Sequence, residues 1–218
     1  MSLYARYVLP RLTDLIMRNK ADAAERAKLI PQASGVVLEI GIGSALNVPY
    51  YGPTVKRLYG VDPSRELWTI GRRRMKAASF PIEFLPCSAE SIPLEDAGVD
   101  TVVSTWTLCT IRDPCAALAE VRRVLKPDGY LLFIEHGRAP DTHAQVWQDR
   151  LTPLWMRVAG GCHMNRQIDM LISEAGFSFA KIETGYVSGP KVLAYLYRGV
   201  AQPQPGAQGG GPEGRGCC

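Results

Sequence analysis

Short apolar runs alternate with helical segments through most of this chain, and that alternation restricts the fold more than any other feature. The apolar runs fall at 36–40, 58–61, 82–85, 99–104 and 130–134. Between them, 44–51 and 64–77 read as helices. Residues 114–125 have a helical rhythm, with Pro114 suited to a first turn and Pro127 just beyond the end. The turn Lys126-Pro127-Asp128-Gly129 precedes the fifth run. Strand and helix in units of about 20 to 30 residues predict a parallel sheet with helices on both faces. Later, 140–175 reads as mostly helical, interrupted at Gly160-Gly161, and 177–183 and 192–197 read as two more strands. With no helix between them, these two are expected to pair antiparallel. The expectation is one α/β domain: a doubly wound, mostly parallel seven-stranded sheet whose last strand is antiparallel.

The flanks differ. Residues 1–33 read as helical, because Tyr4, Tyr7, Val8 and Leu12, then Leu15 and Ile16, recur at spacings of three and four. Pro10 is expected to break or kink this pattern, and Pro31 to end it. From Ala201 the chain reads AQPQPGAQGGGPEGRGCC, which cannot bury a core and is expected to be disordered. The expected division is 1–33 as a helical segment, 34–200 as the domain and 201–218 as a tail.

Bulk properties exclude several classes. A chain of 218 residues suits one such domain, and 46% hydrophobic with 21% charged residues is ordinary for a soluble globular protein. A net charge of +4 falls short of a nucleic-acid binder's excess. No apolar run reaches the roughly 18 residues that span a bilayer. Arg6, Arg11 and Asp14 interrupt the apolar start, which lacks the order of a signal peptide. A cytoplasmic protein able to touch a membrane surface is expected, with no obligate protein partner inferred. The six cysteines form no Cys-x-x-Cys pair with a matching pair, so reduced thiols and no metal site are expected. Cys217-Cys218 reads as an exposed tail end.

Chemistry is sought where the apolar runs end, because parallel sheets bind ligands beyond their carboxyl edges. The stretch VLEIGIGSALN ends the first run in Glu39-x-Gly41-x-Gly43. Glycines there allow a tight turn and let a ligand approach the backbone. A dinucleotide fingerprint would need glycine where Leu46 stands, and a phosphate-binding P-loop would need Gly-Lys-Ser/Thr, which is absent. Asp62 ends the second run, about 20 residues past the glycine turn, where a carboxylate can accept both ribose hydroxyls. The competing reading is a helix N-cap or turn Asp before Pro63.

Taken in order, Glu39-Ile40-Gly41-Ile42-Gly43, Val61-Asp62-Pro63-Ser64, Ser88-Ala89-Glu90-Ser91-Ile92-Pro93, Val99-Asp100-Thr101-Val102-Val103-Ser104 and Glu120-Val121-Arg122-Arg123-Val124-Leu125-Lys126-Pro127-Asp128-Gly129-Tyr130 resemble the successive motifs of class I S-adenosylmethionine methyltransferases over about residues 34–136. Ala45 stands in place of the family's third glycine. The resemblance implies a Rossmann-like fold with S-adenosyl-L-methionine as cofactor. It implies that Glu39 meets the methionine ammonium, Gly41 and Gly43 supply nearby backbone, and Asp62 takes the ribose. Ala89 and Glu90 would border the adenine, Thr105 would face the methionine end, and the N-terminal helices would cover the site as a lid.

Outside that core, Thr107-Leu108-Cys109-Thr110-Ile111, Phe133-Ile134-Glu135-His136-Gly137, Trp147-Gln148, Pro153-Leu154-Trp155 and Gly161-Cys162-His163-Met164-Asn165-Arg166 are similar to the small methyltransferase-like group. That group includes animal alkyl-thiol S-methyltransferases and bacterial members labelled phospholipid methyltransferases. The implied function is methyl transfer to a small-molecule acceptor, a thiol first, with a phospholipid amine or quinone precursor as alternative. A non-catalytic cofactor-binding scaffold is the alternative of another kind. His136, directly after the fifth run, is the candidate catalytic base, against a reading as a histidine bonded to a backbone carbonyl. His163 is a second candidate. Cys109 reads as a small buried apolar residue. Trp106, Trp147 and Trp155 read as core, or as walls of an acceptor pocket. No base-flipping motif follows the fourth run, so a nucleic-acid substrate is not expected.

Overall fold

The computed structural model describes residues 3–204. Seven strands form one sheet: β1 (Gly35–Ile40), β2 (Val55–Val61), β3 (Ile82–Leu85), β4 (Val99–Thr105), β5 (Leu125–His136), β6 (Phe177–Tyr186) and β7 (Tyr195–Pro203). Their order is β3-β2-β1-β4-β5-β7-β6. The pairs β1–β2, β1–β4, β2–β3 and β4–β5 are parallel, while β7 is antiparallel to both β5 and β6. The expected architecture is the one found.

Period-two alternation sorts strand side chains into two layers. Leu38, Val102, Leu131 and Phe133 enter one core with Leu118 and Val121 of α4 (Pro114–Val124) and Ile168 and Ile172 of α6 (Ile168–Glu174). Their neighbours Val37, Val103, Leu132 and Ile134 enter the other. That second core is closed by Leu29 of α2 (Lys20–Leu29) and by Trp68 and Met75 of α3 (Arg65–Lys76). Burial on both faces is why the central strands read as continuous apolar runs. Helix starts follow capping chemistry. Asn19 accepts from the Asp22 amide (2.9 Å), Ser64 from Leu67 (3.2 Å) and Asp113 from Ala116 (2.9 Å).

Several expectations need correction. The helix expected over 44–51 is one 3₁₀ turn, Val48–Tyr50. Gly41, Gly43 and Ala45 hold φ of +68°, +51° and +59°, and left-handed backbone cannot propagate a right-handed helix. Pro10 interrupts the helical pattern as expected, not by ending it but by a change of helix type. A π-helix at Tyr4–Val8 gives way there to α1 (Leu9–Ile16), whose first turn holds the proline. The turn at 126–129 becomes a bulge within β5, between the pairs Val99–Leu125 and Thr101–Tyr130. The last strand starts and ends later than expected. Ala201, placed in the tail by composition, is fully buried and pairs with Leu131 and Phe179. The rest of the expected tail, 205–218 with Cys217 and Cys218, lies outside the described residues. Among the described residues, no helix is long and apolar enough to cross a membrane.

The chain runs outward from β1 towards β2 and β3, and outward from β4 towards β5. The switch in direction between β1 and β4 is where such sheets open a ligand crevice.

Candidate active site

A cavity of about 660 Å³ opens at that switch point, beyond the carboxyl ends of β1, β2 and β4. Seven residues singled out in the sequence line it together: Glu39, Gly41, Gly43, Asp62, Ala89, Glu90 and Thr105.

Glu39 sits at the end of β1 and is 1% exposed. Its carboxylate accepts from Asn47 Nδ2 (2.9 Å) on one oxygen and from the Tyr51 hydroxyl (2.6 Å) on the other. Burial pushes its pKa up to about 7, against the pull of Tyr51, Asn47 and Arg26. Asn47 Nδ2 also donates to Thr105 Oγ1 (2.9 Å), joining the ends of β1 and β4.

The two glycines serve different needs. A Cβ on Gly41 would stand 2.1 Å from Thr107 Oγ1, so packing demands glycine there. A Cβ on Gly43 would meet nothing closer than 3.7 Å. Gly43 therefore keeps its backbone open to the cavity.

Asp62 follows β2 and is buried. Its Oδ2 accepts from the Gly43 amide (2.9 Å) and its Oδ1 from the Ser64 amide (2.7 Å). The turn reading and the site reading are thus both satisfied, since each carboxylate oxygen has a second lone pair for a ligand. Burial raises its pKa, opposed by those two amides. Glu90 is anchored by the Ser88 hydroxyl (2.7 Å) and by the Asp113 amide (2.8 Å) at the start of α4.

Sequence reasoning missed Arg26. It projects from α2 into the cavity wall, 4% exposed. Its Nε donates to Asn47 Oδ1 (3.1 Å) and a terminal nitrogen to the Met17 carbonyl (2.9 Å). The guanidinium lies 4.6 Å from the Trp106 ring centroid. Trp106 itself holds φ +50°, costly for a bulky residue and typical of functional sites. Leu9, Pro10, Thr13 and Met17 bring the N-terminal helices onto the same cavity.

His136 is not on the cavity. It ends β5 as expected, but the loop 106–112 passes between it and the cavity, held by Arg166, which donates to the Leu108 carbonyl, and by the His163 amide on the Cys109 carbonyl (2.8 Å). Its Nε2 lies 2.9 Å from Cys162 Sγ. His163, half-buried, is likewise off the cavity, and burial lowers its pKa. Trp106 lines the cavity, whereas Trp147 and Trp155 do not.

Comparison with known proteins bears on this arrangement. A family model described as "Methyltransferase domain" matches residues 38–133. The chain is 35% identical over 152 residues to the thiol S-methyltransferase TMT1B of Rattus norvegicus, a match spanning 67% of this chain and 62% of the rat protein. It is 30% identical over 190 residues to the human thiol S-methyltransferase TMT1B, covering 83% of this chain and 78% of that one. Among solved structures, a SAM-dependent methyltransferase from Thermotoga maritima, described as a possible histamine N-methyltransferase, superposes with a TM-score of 0.64. It shares 21% identity, over 93% of this chain and 100% of that one.

Proposed function

The chain belongs to the class I S-adenosylmethionine-dependent methyltransferases, and from that premise we propose that its methyl acceptor is a lipophilic thiol. The residues fit the cofactor, because two carboxylates, Glu39 and Asp62, flank a turn whose Gly43 leaves open space where a Cβ would stand. When bound, the cofactor supplies a methyl group on a sulfonium sulfur, already activated for in-line displacement.

What the chain does is hold, orient and keep dry. Asp62 accepts the ribose hydroxyls while Gly43 and Ser64 fix its rotamer. Glu39 receives the ammonium of the methionine end and Arg26 its carboxylate. Gly41 and Gly43 let the backbone come close, Ala89 and Glu90 border the adenine, and Thr105, tied through Asn47, keeps the wall at β4 in register.

One observation carries the choice of acceptor. Among the described residues, the cavity is lined by no histidine, lysine, tyrosine or cysteine. Its ionisable lining is carboxylates and arginines, among them Glu66, whose Oε1 lies 3.8 Å from Arg6 Nε, and a carboxylate is a weak base for an unactivated hydroxyl or amine. Glu39, the carboxyl held near neutrality, is the one given to the methionine ammonium and so is not available to the acceptor. A thiol ionises near pH 8.5 unaided, and its thiolate is a strong nucleophile. The named relatives support the same reading. Leu9, Pro10, Met17, Ile111 and Ala159 make part of the wall apolar, which suits a lipophilic molecule.

Exposed Tyr7, Leu12 and Leu15 near the N-terminus, and Trp147, Leu151 and Leu154 on α5 (Thr142–Val158), support a peripheral membrane contact. The Tyr4 hydroxyl donates to the Val158 carbonyl (2.8 Å), so the two segments adjoin.

Labelled methyl transfer from the cofactor tests the proposal, with alkyl thiols, a quinol precursor and phosphatidylethanolamine offered in parallel. Turnover of the thiols is expected, with a rate that rises as the thiol ionises. Turnover of only the quinol or the lipid amine would overturn it.

A further inference from the structure

Behind the cavity wall, three buried side chains from distant parts of the chain point at one another. Cys109 lies in the loop after β4, His136 ends β5, and Cys162 follows the Gly160-Gly161 turn after α5. Their relative exposures are 1%, 9% and 8%. Cys162 Sγ stands 2.9 Å from His136 Nε2 and 3.9 Å from Cys109 Sγ, although 26 and 53 residues separate them in sequence. The three ligand atoms all lie within 4.8 Å of one another.

We propose that Cys109, His136 and Cys162 form a metal site for a thiophilic d10 cation such as Zn²⁺, tying the loop after β4 to the end of α5. This site is separate from the cofactor cavity, and the proposal does not rest on the thiol reading of the acceptor.

Geometry supports it. Around tetrahedral zinc, with Zn–S of about 2.3 Å and Zn–N of about 2.0–2.1 Å, ligand atoms stand roughly 3.5–3.8 Å apart. The sulfurs are within a few tenths of an ångström of that, and the imidazole needs to withdraw by less than about 1 Å. The backbone is held on every side. The His163 amide donates to the Cys109 carbonyl and the Arg138 amide to the Arg166 carbonyl, both at 2.8 Å. Gly161, at φ +95°, has its Cβ position 3.4 Å from the Thr110 carbonyl, so the two cysteine-bearing segments touch.

Chemistry supports it too. Two thiolates and an imidazole select soft or borderline cations over calcium or magnesium. His136 Nε2, 2.9 Å from Cys162 Sγ, is the ring nitrogen that faces the sulfurs. Each thiol gives its proton to solvent on ligation. The two thiolates offset the charge of a divalent cation. Three protein ligands leave one position for water.

The test uses the full chain, reduced and chelator-treated, with Co²⁺ as the probe. One equivalent of Co²⁺ giving a near-ultraviolet sulfur-to-metal charge-transfer band, abolished by Zn²⁺, is the expected result. Cys109→Ser and Cys162→Ser should each weaken binding by more than the roughly 10- to 100-fold that loss of a partner behind a ligand costs. Cys87→Ser, and Cys217→Ser combined with Cys218→Ser, should leave it unchanged. A wild-type protein without the band, or a band lost only with the terminal pair, overturns the proposal. A buried Ser variant that fails to fold does not block the test, because X-ray absorption on the zinc-loaded wild type reads the ligands directly. Two sulfurs with one imidazole are expected, and oxygen-only coordination overturns the assignment.

Discussion

The Arg26 guanidinium lies over the Trp106 indole, 4.6 Å from its centroid, and so clamps the N-terminal helices to the loop after β4 across the mouth of the cavity. Arg26 also reaches Asn47, which in turn holds Glu39 and Thr105. One cation thus organises the end of the cavity assigned to the methionine moiety.

Replacing Arg26 should therefore cost binding more than fold. A hydrogen bond to a charged group is worth about 1.5–3 kcal/mol, or roughly 10- to 150-fold in affinity. Arg26→Ala is expected to weaken S-adenosylhomocysteine by that range in calorimetric titration. Arg26→Lys keeps the charge but loses the planar fork that meets Asn47 and Met17, and should recover only part of it. Unchanged affinity in Arg26→Ala would remove the residue from the site.

The two glycines of the turn should respond oppositely to alanine. At Gly41 the new Cβ meets Thr107 Oγ1 at 2.1 Å on left-handed backbone, so Gly41→Ala should lose on the order of 2–4 kcal/mol of stability in urea unfolding. At Gly43 there is space, and Gly43→Ala should cost only about 1 kcal/mol for its φ of +51°. Its defect should be in cofactor binding, because the methyl occupies the approach to the backbone. A Gly43→Ala protein that binds the cofactor normally would show that the turn is not the cradle.

Asp62→Asn should fold and bind weakly. The amide oxygen can still accept from one backbone N–H, but the second loses its acceptor, and two ribose hydroxyls no longer meet a carboxylate. About tenfold or greater weakening of cofactor affinity is expected, with a midpoint of thermal unfolding lowered by only a few degrees.

Glu39 gives a pH signature. Its folded pKa, pushed up to about 7, lies above the ordinary value of 4.5, so the folded state binds the proton more tightly than the unfolded one. Its contribution to stability is therefore full below about 4.5 and is lost as pH rises through about 7, the reverse of a salt-bridged carboxylate. A cationic ligand prefers the ionised form, so cofactor affinity should rise with pH through about 7 and level off above it. Titrations near neutrality in buffers of different ionisation enthalpy should show proton release on binding. Glu39→Gln should abolish both the release and the pH dependence.

Much of this was legible in the chain because backbone demands leave marks. Buried parallel strands need uninterrupted apolar runs, and a turn beside a ligand needs glycine, so Glu39, Gly41, Gly43 and Asp62 could be read as one site. Ala45 hid the third left-handed position, since alanine adopts φ +59° only under tertiary constraint. Arg26 left no mark at all. In KADAAERAKL it reads as one cation on a polar helix, and its burial is imposed by contacts with Asn47 and Trp106. His136 was correctly placed at a strand end, but the loop covering it is a three-dimensional fact. Its association with Cys109 and Cys162 follows no local spacing, so a rule built on Cys-x-x-Cys pairs passes over it.

The strand that completes the sheet in space is also the last one made. Residues 195–203 slot between β5 and β6, hydrogen-bonding on both sides. Until they are in place, β5 carries an open edge beside the candidate site and β6 has no strand partner among the described residues, so the other six strands are synthesised before the sheet can close. Deleting residues 195–203 would split the sheet rather than trim its margin, and a nascent chain stalled before Tyr195 would expose an apolar edge ready to pair with a neighbour.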